Sequence, residues 1–267
     1  MKNVLVNVFA VICMLLFCFP AVAESIHLEI MSFDELMKLR QQIDIMLIQH
    51  TSDTDLSDNT YNGLIYVSNG SEIQINSYTG NDSTLIIPDN IEGTPVTRIG
   101  GRAFREGGKA IKNLIIPEGI KHIGDFAFYG LNIEGILMLP SSLEYIGDRA
   151  FDSGSYNGIV VQGSPAIKYM ALEQDDNPNI KFVYFREGCS PEFHDCAHFS
   201  DLESLELIII PESIRNLPDE FICDCPNVTI VCPAGSYAES YAKEHWIVCN
   251  TIDYDKYVAE YEALIAP

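Results

Sequence analysis

One short phrase recurs along the chain and constrains its fold more than any bulk property. Its clearest copy reads Pro117-x-x-Ile120-x-x-Ile123-Gly124-x-x-Ala127-Phe128. The next follows 23 residues later as Pro140-x-x-Leu143-x-x-Ile146-Gly147-x-x-Ala150-Phe151. An earlier copy runs from Pro88 and Ile91 to Ile99-Gly100-x-x-Ala103-Phe104 with five extra residues. Two worn copies follow, one from Arg186 to Ala197-His198-Phe199 and one from Pro211 and Ile214 to Leu217 and Phe221. A period of about 20–30 residues marks a solenoid, whose units cannot bury an apolar face alone and so stack on their neighbours.

The wording of the phrase also carries a resemblance. Apolar-x-apolar-Pro followed by apolar-x-x-Ile-Gly-x-x-Ala-Phe resembles the BspA-like leucine-rich repeats of secreted and surface proteins. The lead-in from Tyr66 through Leu85-Ile86-Ile87-Pro88 to Arg98-Ile99-Gly100 is similar to that family's opening unit. The closing Cys232-Pro233-Ala234-Gly235-Ser236-Tyr237-Ala238-Glu239 matches in the same way. The resemblance implies a right-handed leucine-rich-repeat solenoid, an α/β repeat with one parallel sheet face and short helical flanks. It also implies a role in adhesion or partner binding, with an extracellular or host protein, or a glycan, as the partner. It names no ligand.

Within each repeat the apolar-x-apolar-Pro segment reads as a short strand, ended by a proline that cannot donate to a ladder. The Ile-Gly-x-x-Ala-Phe segment reads as the return, with glycine making the corner. Phe104, Phe128, Phe151, Phe199 and Phe221 are expected to stack in the interior as a ladder, as core and not as a binding site. Ser164 to Phe185 reads as a break in the rhythm, with residues 173–179 projecting as a loop.

Residues 1–23 have the form of a secretory signal peptide. Lys2 supplies the charge, Val4 to Phe19 the apolar run, and Ala21-Val22-Ala23 the cleavage site before Glu24. Residues 24–50 are then expected to form an amino-terminal helix, where Ser32 caps, Glu35 closes a capping box, and Phe33 to Leu47 carry a broad apolar face. A linker at 51–60, the solenoid at 61–249 and a helical tail at 250–267 complete the expected organisation. In the tail the helical pattern rests on Tyr257, Tyr261, Leu264 and Ile265, and before it a second capping box, Ser236-x-x-Glu239, opens a short helix to about His245.

The chain carries a formal net charge of −22, and −23 once the expected leader is removed. Such a surface repels phosphate backbones and anionic headgroups, so nucleic acid is excluded as a partner. The apolar run of the leader is too short for a good span and no second one follows, so no membrane span is expected. Beyond the leader, six cysteines crowd into 61 residues: Cys189, Cys196, Cys223, Cys225, Cys232 and Cys249. An even number in an exported chain permits disulfides in fifteen connectivities. The repeat register offers another role for Cys189, Cys225 and Cys232, which fall on inward positions where cysteine acts as a small hydrophobe.

No catalytic motif is present. The chain lacks a Gly-x-Ser-x-Gly elbow, a His-Glu-x-x-His pair and a phosphate loop, and no cofactor is implied. His194-Asp195-Cys196-Ala197-His198 holds soft ligands at a spacing that is not a strong zinc pattern. Asp53 to Asp58 starts like a calcium loop and fails at Asp58, where the loop needs glycine.

The sharpest functional lead is a row of outward positions two residues before each strand-ending proline or its equivalent: Ile86, Ile115, Met138, Tyr184, Ile209 and Val231. All are apolar, where a solvated sheet would show Thr, Ser or charge. Strand propensity, a covering flank, or a stripe that docks a partner or a second copy each account for it. The Phe33–Leu47 helix is long enough to lie across four strands, with Ile86, Ile115 and Met138 as its bed. Tyr184, Ile209 and Val231, with Met138 at the boundary, are then the candidate binding residues. A passive role in a surface assembly, through self-association, is the alternative, and an extracellular hydrolase is a more distant one.

Overall fold

The computed structural model describes residues 59–105, 108–173, 179–194 and 198–266. The expected leader, the expected amino-terminal helix and the Asp53–Asp58 segment lie outside the described residues. The chain divides into two compact units, and everything below concerns the second, Asp55–Pro267.

Three antiparallel strands open it: β1 (Asn59–Tyr61), β2 (Leu64–Ser68) and β3 (Ile73–Tyr78). β1 thus begins two residues inside the stretch read as linker. The first repeat holds β4 (Thr84–Ile86), β5 (Asn90–Ile91) and β6 (Thr94–Ile99). Four further repeats each contribute a strand before the proline position and a two-residue strand at the Ile-Gly position. These are β7 (Asn113–Ile115) with β8 (His122–Ile123), β9 (Ile136–Leu139) with β10 (Tyr145–Ile146), β11 (Gly158–Val161) with β12 (Ala166–Ile167), and β13 (Phe182–Phe185) with β14 (Glu192–Phe193). The chain continues through β15 (Phe199–Ser200), β16 (Leu207–Ile209), β17 (Ile222–Cys223) and β18 (Thr229–Val231). It closes with α1 (Tyr237–Glu244), β19 (Val248–Asn250) and α2 (Tyr254–Leu264).

These strands stack in parallel through about seven turns of a solenoid. The solenoid has more than the one ladder that the phrase suggests. The pre-proline strands pair in the order β19-β18-β16-β13-β11-β9, with β4 and β7 pairing apart. The Ile-Gly strands form their own ladder, β3-β6-β8-β10-β12-β14, extended at its start by the antiparallel β1 and β2. In that ladder Ile75, Ile99, Ile123, Ile146, Ile167 and Phe193 stand in successive register, all buried. The pre-proline strands face that ladder with two inward apolar side chains, such as Leu137 and Leu139 or Val183 and Phe185, which gives a continuous core without a broad helix layer.

The rhythm does not break after Phe151. β11 and β12 are a full turn paired on both sides. Gln162 stands where the proline would be, and Ala171-Leu172 replaces Ala-Phe at the same distance from Ile167. The loop reading fails at its first residue for the same reason. Glu173 is buried, with its carboxylate accepting from the Ser200 hydroxyl at 3.3 Å, while 174–178 lie outside the described residues.

The glycine of the phrase has a different task from the one expected. The residue with positive φ in each corner is Arg102, Phe126, Arg149 or Met170, two places before the Phe position. Gly124 and Gly147 instead make room between turns: a Cβ would lie 2.6 Å from the Gly101 nitrogen and 2.4 Å from an Asp125 carboxylate oxygen. Close approach of successive turns, not φ, selects glycine there.

The phenylalanine ladder is real over three turns. Phe104 and Phe128 stack at 4.9 Å, and Phe128 and Phe151 at 5.1 Å, with nearly parallel rings. Leu172 then interrupts it. Phe199 and Phe221 are equally buried but meet edge-on at 5.4 Å, in a cluster with Phe193, His198 and Tyr241. All five phenylalanines are core.

α1 begins where its capping residues predict. The Ser236 hydroxyl accepts from the Glu239 amide at 3.2 Å, and the Glu239 carboxylate accepts from the Gly235 amide at 2.6 Å. Ala238, Tyr241 and Ala242 seal that end of the core.

Candidate interaction face

The pre-proline strands alternate in and out, so every second residue points away from the solenoid interior. Register puts Ile86 beside Ile115, and Met138, Val160, Tyr184, Ile209 and Val231 in one continuous line. Val160, with Gln162 in the proline place, is a member the sequence reading passed over. Ile159-x-Val161 held the same alternation and could have revealed it.

The carboxy-terminal half of this row is covered. α2 presents Tyr254, Tyr257, Val258, Tyr261 and Ile265 on one face, the spacing of an amphipathic helix. That face packs on Val160, Phe182, Tyr184, Leu207, Ile209 and Val231, a second apolar cluster distinct from the solenoid core. The Tyr261 ring meets Phe182 edge-on at 4.6 Å. Leu264, counted with the helical pattern, is exposed instead.

A polar clasp fixes the helix to the sheet. The Arg186 guanidinium donates to both oxygens of Glu262, from Nε at 2.7 Å and from a terminal nitrogen at 2.6 Å. Tyr184 donates to the same carboxylate at 2.8 Å, and Arg186 also reaches Gln162 at 2.7 Å. The guanidinium beside it holds the Glu262 carboxyl below the usual carboxylate range. Burial, and then the nearby Glu262, push the Tyr184 phenol well up. At the helix start Tyr254 hydrogen-bonds Glu187. Gln162, Arg186, Glu187, Val258 and Glu262 line a cleft of about 360 Å³ beside the helix, with its one arginine already engaged.

Tyr184, Ile209 and Val231 are therefore not the free end of the row. They are fully buried, and Met138 is partly buried at the margin of the same cluster. The expectation that the carboxy-terminal half stays free is therefore corrected. Among the described residues the open end is amino-terminal, where Ile86 is 62% exposed and Ile115 50%. The physical reason is which helix does the covering: α2 follows directly from β19 and reaches the carboxy-terminal strands first. The amino-terminal helix expected over Ile86 and Ile115 lies outside the described residues.

The other candidate constellations disperse. His198 is buried between the Phe193 and Phe221 rings, while His194 meets the Lys168 ammonium on the surface. Asp195, Cys196 and Ala197 lie outside the described residues. Among the described residues no group of His, Cys, Asp and Glu is arranged to hold a metal. No described helix is long and apolar enough to cross a membrane.

A stacked parallel ladder with this repeating phrase is what comparison with known families recovers. The BspA-type leucine-rich-repeat region matches in six copies, over residues 72–191 and 97–229. The chain belongs to that family. A BspA-type repeat is generally a scaffold for interaction, and its solenoid is the fold described above. A leucine-rich repeat protein from Bacteroides ovatus ATCC 8483 is similar in structure at 14% identity, over 66% of this chain and 71% of that one, with a TM-score of 0.23. No curated protein matches the chain.

Proposed function

We propose that this BspA-type chain is a secreted, non-catalytic interaction protein that binds an extracellular protein or glycan partner through the uncovered half of its outer strand row. The observation that carries this reading is the asymmetry of that row. One half is sealed by α2 with aromatic packing and a clasp, while Ile86 and Ile115 stand side by side and open. Exposed apolar residues on neighbouring strands, rimmed by polar groups, make a docking patch. The rim here includes Thr84, Asn113 and the Lys112–Glu134 ion pair. The form of residues 1–23 supports export, as does a family of typically surface or secreted bacterial proteins.

The test uses the chain from Glu24 onward against immobilised extracellular-matrix proteins and glycans, compared with an Ile86→Lys/Ile115→Lys variant. Central interface positions lose on the order of tenfold or more in affinity when their burial is abolished. A bound ligand whose affinity is unchanged in the variant would move the site elsewhere on the solenoid.

A second reading, a passive element of a surface assembly, has its own observation. Among the described residues β19 ends the outer ladder with an unpaired edge, and Trp246, Val248 and Ile252 around it are exposed. Concentration-dependent sedimentation that Val248→Lys abolishes would favour assembly over ligand capture.

A further inference from the structure

The last turn brings together two thiols that the repeat pattern treats only as core. Cys232 follows β18 and is fully buried, while Cys249 is the middle residue of β19 and packs against the core with part of its surface open. The strands run parallel with Ile230 opposite Cys249, and the Cys232 amide donates to the Asn250 carbonyl at 3.3 Å. Alternation puts Ile230, Cys232 and Cys249 on the same inner side, and the two sulfurs stand 3.5 Å apart. The other described cysteines have different surroundings. Cys189 sits in an earlier turn, and Cys225 hydrogen-bonds the Phe199 and Cys223 carbonyls.

We propose that Cys232 and Cys249 form a disulfide when the chain meets a disulfide oxidant such as oxidised glutathione. The Cys249 thiolate attacks one sulfur of the oxidant, forming a mixed disulfide and expelling one glutathione thiolate. The Cys232 thiolate then attacks the Cys249 sulfur and expels the second. The two thiol protons pass to the two departing thiolates, and the two electrons end on glutathione. Only a short approach separates the present contact from a bonded distance of about 2.05 Å. Burial pushes the Cys249 thiol up to about 12. Attack is therefore slow in the finished fold and fast while the chain is folding and the thiol is solvated.

The bond would act on the cover helix. It closes the loop from Cys232 to Cys249 that contains α1, and it ties the edge strand β19 to its neighbour β18. One residue further on, the Asn250 side-chain oxygen accepts from the amides of Ile252 and Asp253, and Asp253 starts α2. The sulfur bridge thus fastens the root of the helix that seals Tyr184, Ile209 and Val231.

The experiment takes the full chain, unfolded and reduced, and refolds it with oxidised and reduced glutathione. Quenching with acid, alkylation and peptide mapping follow. The proposal expects the peptides of Cys232 and Cys249 joined, a mass lower by two hydrogen atoms, and a higher melting midpoint than the reduced protein. It also expects faster amide exchange in α2 after reduction. Cys223→Ser should keep the bond, and Cys249→Ser should lose both the bond and the midpoint shift. Recovery of Cys232 and Cys249 as separately alkylated thiols, or their linkage to other cysteines, would overturn the pairing. Mapping of the unsubstituted protein decides this even where a variant fails to fold. A bonded form with unchanged midpoint and unchanged α2 exchange would overturn the clamp.

Discussion

His198 shows how one residue couples the interior to pH. It lies between aromatic rings at 5.4 and 5.9 Å, and burial depresses its pKa from 6.5 to about 4, against a weaker pull from a hydrogen bond to the His194 backbone. The unfolded ring takes its proton as pH falls through about 6.5, whereas the folded ring refuses it until about 4. The full stability is therefore present above the unfolded value and declines as pH falls through that window. Glu262, held low by Arg186, loses its contribution only in more acid solution, below the ordinary carboxylate range. His122, depressed by partial burial and then by Arg98, acts in the same direction as His198. The thermal midpoint should drop between pH ~7 and ~5, and His198→Leu should remove most of that slope. A slope unchanged in the variant would place the acid sensitivity elsewhere. The sequence did not announce this histidine as core, because its neighbour Phe199 fills the phenylalanine position and disguises the register.

At the scale of elements, α2 decides which part of the outer row is free. Ile209→Lys would put an ammonium into the buried apolar cluster under α2, where the Glu262 carboxylate is already engaged by Arg186 and Tyr184. An uncompensated buried charge of that kind costs about 3–5 kcal/mol. Ile115→Lys, half-exposed on the open strands, should change stability by no more than ~0.5 kcal/mol. Urea titration of both variants checks the pair; equal losses would mean that the amino-terminal strands are covered in solution as well. The helix itself was legible, since Tyr257, Tyr261 and Ile265 keep a helical period. Its destination was not. The contacts that fix it, Arg186 to Glu262 and Tyr184 to Glu262, join residues 76 and 78 apart, and no local pattern records such a distance. The second ladder was hidden for a related reason, because its strands are mostly two residues long and leave no alternation to read.

For the molecule as a whole, a solenoid's stability is close to a sum over turns and the interfaces between them. Here the turns are unequal. From β11 to β18 the outer ladder is paired on both sides and capped by α2, while among the described residues β4 and β7 pair only with each other and expose their outer residues. The phenylalanine stack compensates on the inside, with Phe128 in van der Waals contact with the rings of Phe104 and Phe151. Phe128→Ala empties the middle of that stack and should cost about 3–5 kcal/mol. Because each turn touches only its neighbours, the loss should not spread evenly. Amides of β6 and β8 should exchange faster in the variant, while those of β16 and β18, held beneath α2, should keep their protection. Mass-resolved hydrogen exchange across the turns separates the cases. A uniform rise in exchange from β3 to β18 would show that the turns unfold as one unit, and that the cover helix steadies the whole solenoid and not only the face it occupies.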